Sequence, residues 1–404
     1  MTSFLNELKE KFQEIYKLID RCLDEDFNYF RLVFTFNPQY FADPKILPQA
    51  WLRKETLTLM MFSSRFHALV IGPPGIGKTS IASFLERIGF PYKRATLIRT
   101  ESGGTTTTAG LRDTIIELSD LVIKEFEDEH DKSWIPSGIL HLEEYLRAPA
   151  RDRDLLKSVM VERMIYLQFS RRYKEIYGIP DSRYTPVNVY ADTNPPKADY
   201  WLSKDFNTKK EQLEPLLAET ANLRRFTVIL VCDDYKPEQK AIINKYKEFW
   251  MVNPHPAIES GEFYEKYGKF VFKRRRIKVK RTPIPDYIIY FFVGLERLQK
   301  EGKLLLPIVF GDYVEKIYGI AEAFARINGH NEITDTDWTH TMLYYQRVVE
   351  SLMDSTYKSS KDYIYQAAKL GEEIIERIST KIKETFLRRV REEIEEKTGI
   401  DQQP

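Results

Sequence analysis

The chain has 404 residues, of which 30 % are charged, and its 61 lysines and arginines nearly cancel its 60 aspartates and glutamates. This length suffices for two or three domains with their own cores, and the balanced charge excludes a surface that is basic throughout, although not a local basic patch. The two cysteines, Cys22 and Cys232, have no metal-ligand spacing and indicate no disulfide framework, which favours a reducing compartment.

Five segments of different pattern follow one another. Residues 1–50 form a short N-terminal segment that starts as an amphipathic helix, and residues 51–235 alternate apolar runs with helical stretches. This alternation is typical of an α/β core in which helices flank a parallel sheet. Residues 236–283 are charged and contain prolines, which suits a basic connector. Residues 284–352 predict a set of helices, and residues 353–404 predict a charged amphipathic helical tail.

The expected strands of the core are the runs 68–71, 95–98, 139–142, 187–191 and 227–232. The longest apolar run of the whole chain, at residues 287–295, is too short to cross a bilayer. The N-terminus also lacks the charged and apolar regions of a signal peptide. We therefore expect a cytoplasmic protein without a membrane partner.

Residues 72–79 read GPPGIGKT and match the phosphate-binding pattern G-x-x-x-x-G-K-[ST]. The motif lies between an apolar run and an amphipathic segment, which is the strand–loop–helix context that it needs; the alternative is a chance match in a turn. Glycines let backbone N–H groups surround phosphate oxygens, and the helix directs its positive end at them. Lys78 would reach the β- and γ-phosphates, and Thr79 would hold Mg²⁺. The expected nucleotide-binding residues are Gly72, Pro73, Pro74, Gly75, Ile76, Gly77, Lys78, Thr79 and Ser80.

Three further elements have polar residues where ATP hydrolysis needs them. The apolar run near residue 140 ends in Glu143 and Glu144, of which one would hold the metal and the next would orient the attacking water. Asn194 follows the run at 187–191 and would position water near the γ-phosphate. Arg225 precedes the last run and would reach the nucleotide of a neighbouring subunit. Taken singly, the two carboxylates also fit an exposed acidic turn, and Asn194 and Arg225 also fit ordinary scaffold.

Together and in this order, these elements resemble the AAA+ ATPases, and most of all the motor domain of the minichromosome maintenance (MCM) helicases. Residues 137–144 are similar to the family's second nucleotide-binding strand, residues 191–195 to its sensor 1 and residues 223–226 to its arginine-finger motif. Residues 100–111 and 321–326 resemble a conserved loop segment and a lid helix of the family. MoxR chaperones and magnesium chelatases share several of these features.

The resemblance implies an AAA+ P-loop sheet followed by an all-helical lid and a helical tail. It also implies ATP and Mg²⁺ as cofactors, and a homo-oligomer, in the form of a hexameric ring, that moves on DNA, with a loader or replication partner not identified. In that assembly Thr79 and Glu143 hold the metal, Glu144 activates water, Asn194 positions it and Arg225 acts from the neighbour. The DNA-contacting residues of the pore hairpin would be Arg171, Arg172 and Lys174. The alternative is that these residues lie at a solvated hairpin tip and contact no DNA.

Other interpretations stay open at this stage. One is a MoxR-like remodeller of proteins, and another is a nucleotide-binding scaffold with weak turnover. The sequence departs from the family at Glu143, where the family has Asp, and at Asp312, where it has the sensor 2 arginine. The segment before the motor is also too short for the large N-terminal domain of cellular members. A second basic run, at residues 273–281, indicates either a nucleic-acid contact or a solvated face.

Overall fold

The computed structural model describes residues 2–40, 42, 47–97, 107–145, 148–167, 180–194, 223–232, 237–302, 310–350 and 352. Its helices are α1 (Thr2–Asp24), α2 (Tyr29–Thr35), α3 (Pro48–Phe62), α4 (Lys78–Ala82), α5 (Phe84–Arg87), α6 (Thr108–Glu125), α7 (Ala150–Glu162), α8 (Pro237–Val252), α9 (Pro256–Glu259), α10 (Glu262–Arg275), α11 (Asp286–Lys300), α12 (Phe310–Asn328) and α13 (Asp335–Glu350). Its strands are β1 (Ala68–Ile71), β2 (Tyr92–Thr96), β3 (Gly138–Glu143), β4 (Met164–Tyr166), β5 (Ser182–Tyr184), β6 (Val187–Thr193) and β7 (Val228–Val231).

Five of the strands form one parallel sheet in the order β2-β3-β6-β1-β7, flanked by helices. Every residue of β1, β6 and β7 is buried, because helices cover both faces of the sheet. This burial explains the continuous apolar sequences of β1 and β7, whereas β6 also buries Asn188 and Asp192, whose side chains form hydrogen bonds. The predicted α/β fold with a parallel sheet is confirmed. The second strand begins three residues before the predicted run, at Tyr92, because an edge strand with a single neighbour tolerates the polar Lys93 and Arg94.

Helix α3 crosses the predicted boundary between the N-terminal segment and the core, and its residues from Ala50 onward are buried. Charged side chains are among them. Glu55 accepts hydrogen bonds from Tyr29 of α2 and from Arg347 of α13, so that one carboxylate joins three helices. Burial lowers the pKa of Lys54 to about 7. The N-terminal segment is therefore packed into the core through α3.

Most of the predicted basic connector is helical, since it contains α8, α9 and α10. Its prolines lie where they do not interrupt these helices: Pro254 lies in the turn after α8, and Pro256 is the first residue of α9, a position that needs no backbone N–H donor. Composition alone indicated a linker because proline and charge are also common at helix ends.

The basic run at residues 273–281 is bound to acidic side chains of the same chain. Arg275 has no exposed side-chain surface and forms a two-point ion pair with Glu125 at the end of α6. Arg276 pairs with Asp128, and Lys278 with Asp131. The run thus connects α10 to the end of α6, and its buried member is neither a nucleic-acid contact nor part of a solvated face.

The described part of residues 284–352 contains three helices, α11 to α13, as the pattern predicted. Arg281, which precedes them, pairs with Glu315 and Glu322 of α12, and Glu322 also accepts a hydrogen bond from Ser64. These bonds hold α12 against the segment that leads into β1. The predicted tail at residues 353–404 lies outside the described residues. None of the helices described combines the length and the apolar character needed to cross a membrane.

Candidate nucleotide site

A pocket of about 610 Å³ lies at the carboxyl ends of β1, β3 and β6. In a parallel sheet these strand ends face the same side, so residues distant in sequence meet there. Residues from three separate motifs, which the sequence assigned to one site, line this pocket together. The loop after β1 supplies Gly75, Gly77 and Lys78, the end of β3 supplies Glu143 and Glu144, and the end of β6 supplies Asn194.

The loop at residues 72–79 has the backbone of a phosphate-binding turn. Gly75 and Gly77 have φ angles of +85° and +78°, in the left-handed region that favours glycine. A side chain at Gly77 would also collide with the ring of Tyr40. Tyr40 donates a hydrogen bond of 2.6 Å to the carbonyl of Ile76, and Arg53 donates to the Tyr40 hydroxyl at 3.0 Å. Tyr40 therefore supports the loop from the N-terminal segment, which no sequence motif indicated.

Lys78 begins α4 and points back over the loop. Its Nζ donates to the carbonyls of Gly72 and Pro73 at 2.7 and 2.9 Å, and to Oδ1 of Asn194 at 2.9 Å. Burial lowers the pKa of Lys78, while the nearby carboxylate of Asp192 acts in the opposite direction. A cationic amine held by neutral acceptors beside the pocket is suited to bind an anionic phosphate.

Glu143, the last residue of β3, is held by three donors. The Thr79 hydroxyl donates to Oε1 at 2.8 Å, Arg94 donates to the same oxygen at 2.6 Å, and the Thr96 hydroxyl donates to Oε2 at 2.7 Å. Burial raises the pKa of Glu143, but these hydrogen bonds outweigh it and hold the pKa below its usual value. An ionised carboxylate beside a threonine hydroxyl is a set of hard oxygen donors that fits Mg²⁺.

Glu144 follows with a φ of +58°, which is unusual for a residue with a side chain. This backbone turns its carboxylate toward Asn194, whose Nδ2 donates to Glu144 Oε1. Because Oδ1 of the same amide accepts from Lys78, Asn194 links the lysine of the loop to the second carboxylate. Strained backbone of this kind is common at functional sites.

One face of α8 forms the remaining side of the pocket. Lys240, Ile243, Asn244 and Lys247 line it, at the spacing of three and four residues that places side chains on one helix face. The sequence analysis missed these residues because it assigned their range to a connector. The available signal was the apolar, buried positions Ile242 and Tyr246 of the same helix.

Arg225 lies at the opposite edge of the sheet. It precedes β7, whose first residue pairs with Ala68 at the start of β1, whereas the phosphate-binding loop follows the end of β1. The length of β1 alone separates these edges by about 10 Å. Arg225 lines a second pocket, of about 370 Å³, together with Arg65, Arg224 and Lys316. Within one chain, Arg225 therefore lies apart from the candidate residues that the structure describes at the nucleotide pocket.

Several predicted residues lie outside the described part of the chain. They include Arg171, Arg172 and Lys174, although β4 and β5, which lead into and out of that segment, do pair in antiparallel fashion. Asp312 belongs to α12, but its side chain is not among those described. Most of the family-like segment at residues 100–111 is also outside.

No protein-family model and no curated protein sequence matches this chain.

Proposed function

We propose that this protein hydrolyses ATP in the pocket at the carboxyl edge of its sheet. The observation that carries the proposal is the convergence of five side chains from three separate elements on that pocket: Lys78, Thr79, Glu143, Glu144 and Asn194. A chance match to the phosphate-binding pattern does not require two carboxylates and an amide to meet it in space. Three direct contacts connect the set, from Thr79 to Glu143, from Lys78 to Asn194, and from Asn194 to Glu144.

The roles follow from the chemistry of each group. Lys78 and the backbone N–H groups of its loop bind the β- and γ-phosphates. Thr79 and Glu143 are the residues that would hold Mg²⁺, which when bound neutralises charge on the phosphates. Glu144 takes up a proton from the attacking water, and Asn194 keeps that carboxylate and the lysine in their relative positions.

We further propose that the chain works as a ring of identical subunits. The support is the position of Arg225 at the sheet edge opposite its own loop, where it is suited to reach the nucleotide of a neighbour. The resemblance to the MCM motor implies that DNA is the substrate. Strands β4 and β5 pair in antiparallel fashion, and the sequence between them contains Arg171, Arg172 and Lys174, which we propose contact a single strand.

Phosphate release from ATP, measured for the purified chain and for Lys78→Ala, tests the proposed activity. We expect the variant to lose turnover and to keep the circular dichroism melting curve of the unchanged protein, because Lys78 donates to two loop carbonyls and to the amide oxygen of Asn194, all at the edge of the pocket and not in the apolar core. Lys93→Ala is the matched control, since Lys93 is a partly exposed lysine of the edge strand β2 that pairs with Glu117 of α6. Equal turnover in Lys78→Ala and Lys93→Ala would contradict the proposal.

Single-stranded DNA and an unfolded protein, each added to the same assay, test the substrate. The DNA proposal expects the oligonucleotide to raise the ATPase rate and the unfolded protein to leave it unchanged. Stimulation by the unfolded protein alone would replace it with a protein-remodelling function, and a low rate with both would favour a nucleotide-binding scaffold.

A further inference from the structure

A third carboxylate lies at the nucleotide pocket, and no motif assigns it. Asp192 is two residues before Asn194 on β6, and alternate residues of a strand point to the same side, so both face the pocket. The Asp192 side chain keeps 7 % of its surface exposed, at the pocket. Its Oδ2 bonds to His141, and no described residue bonds to its other oxygen. Asp192 therefore has one anchored oxygen and one that is available to a ligand.

The anchor is a chain of buried groups across three neighbouring strands. His141 of β3 has no exposed surface, and its Nε2 lies 2.7 Å from Oδ2 of Asp192. Its Nδ1 lies 2.9 Å from the hydroxyl of Tyr92 on β2. If Nε2 donates to the carboxylate and the tyrosine hydroxyl donates to Nδ1, both N–H and O–H donors have an acceptor. Both ring nitrogens are thus in use, and His141 acts on the pocket through Asp192.

The position of Asp192 relative to Glu143 indicates what it would bind. One ligand atom each of His141, Glu143 and Asp192 lie within 4.8 Å of one another. A Mg²⁺ ion binds oxygen at about 2.1 Å and usually keeps several waters, so two carboxylates at this separation are close enough to reach one hydrated ion. Arg94, Thr96 and Thr79 donate to the carboxylate of Glu143 and so compensate part of its negative charge. A second carboxylate would restore negative charge next to the ion.

We propose that Asp192 is a second carboxylate for the divalent cation of the nucleotide pocket, and that Tyr92 and His141 are positioning residues that hold it there. This inference rests on the proposed function, because it concerns the cation that accompanies the nucleotide.

The binding of a fluorescent ATP analogue, measured without divalent ions and then with increasing Mg²⁺, tests the proposal. Asp192→Asn keeps the shape of the side chain and an acceptor for His141 but removes the charge. We expect metal-free nucleotide to bind equally or more tightly, because one negative charge has left the pocket. We expect the Mg²⁺ concentration that gives half of the maximal increase in nucleotide binding to rise about tenfold or more, which is the usual effect of losing a residue that supports a metal site. A purely structural role would weaken both forms of binding together.

Two further variants separate position from charge. His141→Leu keeps the charge of Asp192 and a side chain of similar volume but removes the donor that anchors it, so the Mg²⁺ requirement should rise while metal-free binding stays constant. Thr193→Val is the matched control on β6, since this buried hydroxyl has no hydrogen-bond partner among the described residues, and it should change neither quantity. Mn²⁺ bound in the presence of ADP, counted by electron paramagnetic resonance, gives the same comparison without turnover.

The outcomes distinguish this inference from the proposed function. If the unchanged protein binds no ATP with Mg²⁺, the proposed function is wrong. If it binds ATP and Asp192→Asn shows the same Mg²⁺ dependence, only the role of Asp192 is wrong. Where Asp192→Asn fails to fold, as judged by its circular dichroism melting curve, His141→Leu and Mn²⁺ binding decide, and an unchanged Mn²⁺ affinity in His141→Leu overturns the proposal.

Discussion

Arg275 should be one of the residues on which the stability of this fold depends most. Its guanidinium is fully buried and donates one hydrogen bond to each carboxylate oxygen of Glu125. It also donates to the backbone carbonyls of Met61, Pro136 and Ser137. Arg275→Met keeps an unbranched, flexible side chain and removes the guanidinium with its charge, so that Glu125, only 11 % exposed, loses its partner. Breaking a buried pair in this way costs about 3–5 kcal/mol of the free energy of unfolding.

Urea unfolding, followed by circular dichroism, measures this cost. With a urea slope of about 3 kcal/mol/M, the midpoint of Arg275→Met should fall by about 1 M or more. Arg276→Met is the matched control from the same basic run, because Arg276 is half exposed and its pair with Asp128 lies in solvent, where such pairs contribute little. The double variant Arg275→Met/Glu125→Leu should recover much of the loss, since it leaves no unpaired charge.

The result that would refute this reasoning is an equal, small midpoint shift in Arg275→Met and Arg276→Met. If both variants instead kept the stability of the unchanged protein and lost affinity for DNA, the run at residues 273–281 would be a nucleic-acid surface. The measured pair of variants therefore decides whether Arg275 stabilises the fold or the run contacts nucleic acid.

Two predictions concern hydrolysis and the assembly. Glu144→Gln should bind ATP and hydrolyse it far more slowly, because the amide cannot take up the proton; if Glu143→Gln showed that behaviour and Glu144→Gln stayed active, the two roles would be reversed. Arg225→Ala should bind ATP nearly normally and lose about a thousandfold in rate. Mixing it with Lys78→Ala should restore part of the activity, since each Lys78→Ala subunit supplies an intact Arg225 to its neighbour; a monomer that hydrolyses ATP at the full rate would exclude the ring.

The sheet and the phosphate-binding loop could be predicted because their signals are local. A parallel strand that is buried on both faces is rich in apolar residues, which makes the runs at β1 and β7 visible and also the run in β6, although β6 contains the polar Asn188 and Asp192. The loop must have glycine where φ is positive, and Gly75 and Gly77 meet that need. The convergence of Glu143, Glu144 and Asn194 on this loop was predictable as well, because the carboxyl ends of parallel strands share one edge.

Contacts between distant segments could not be predicted in this way. Arg94 is an unremarkable basic residue in the sequence, and only the pairing of β2 with β3 places it on Glu143. Tyr40 and Asp192 carry no pattern of their own, and their positions depend on how whole elements pack. The same holds for Arg275, which reads as one member of a charged run until α6 places Glu125 beside it.

The contact of Tyr40 with the phosphate-binding loop has a consequence for nucleotide affinity. A glycine-rich loop that samples many conformations loses entropy when a ligand orders it, and this loss weakens binding. Here the ring of Tyr40 lies against Gly77, and its hydroxyl holds the carbonyl of Ile76. The hydroxyl of Tyr246 in α8 in turn holds the carbonyl of Pro38, two residues before Tyr40. The loop is thus held in place from outside the sheet, and if it binds the proposed nucleotide, the residues before α3 would raise the affinity without touching the phosphates.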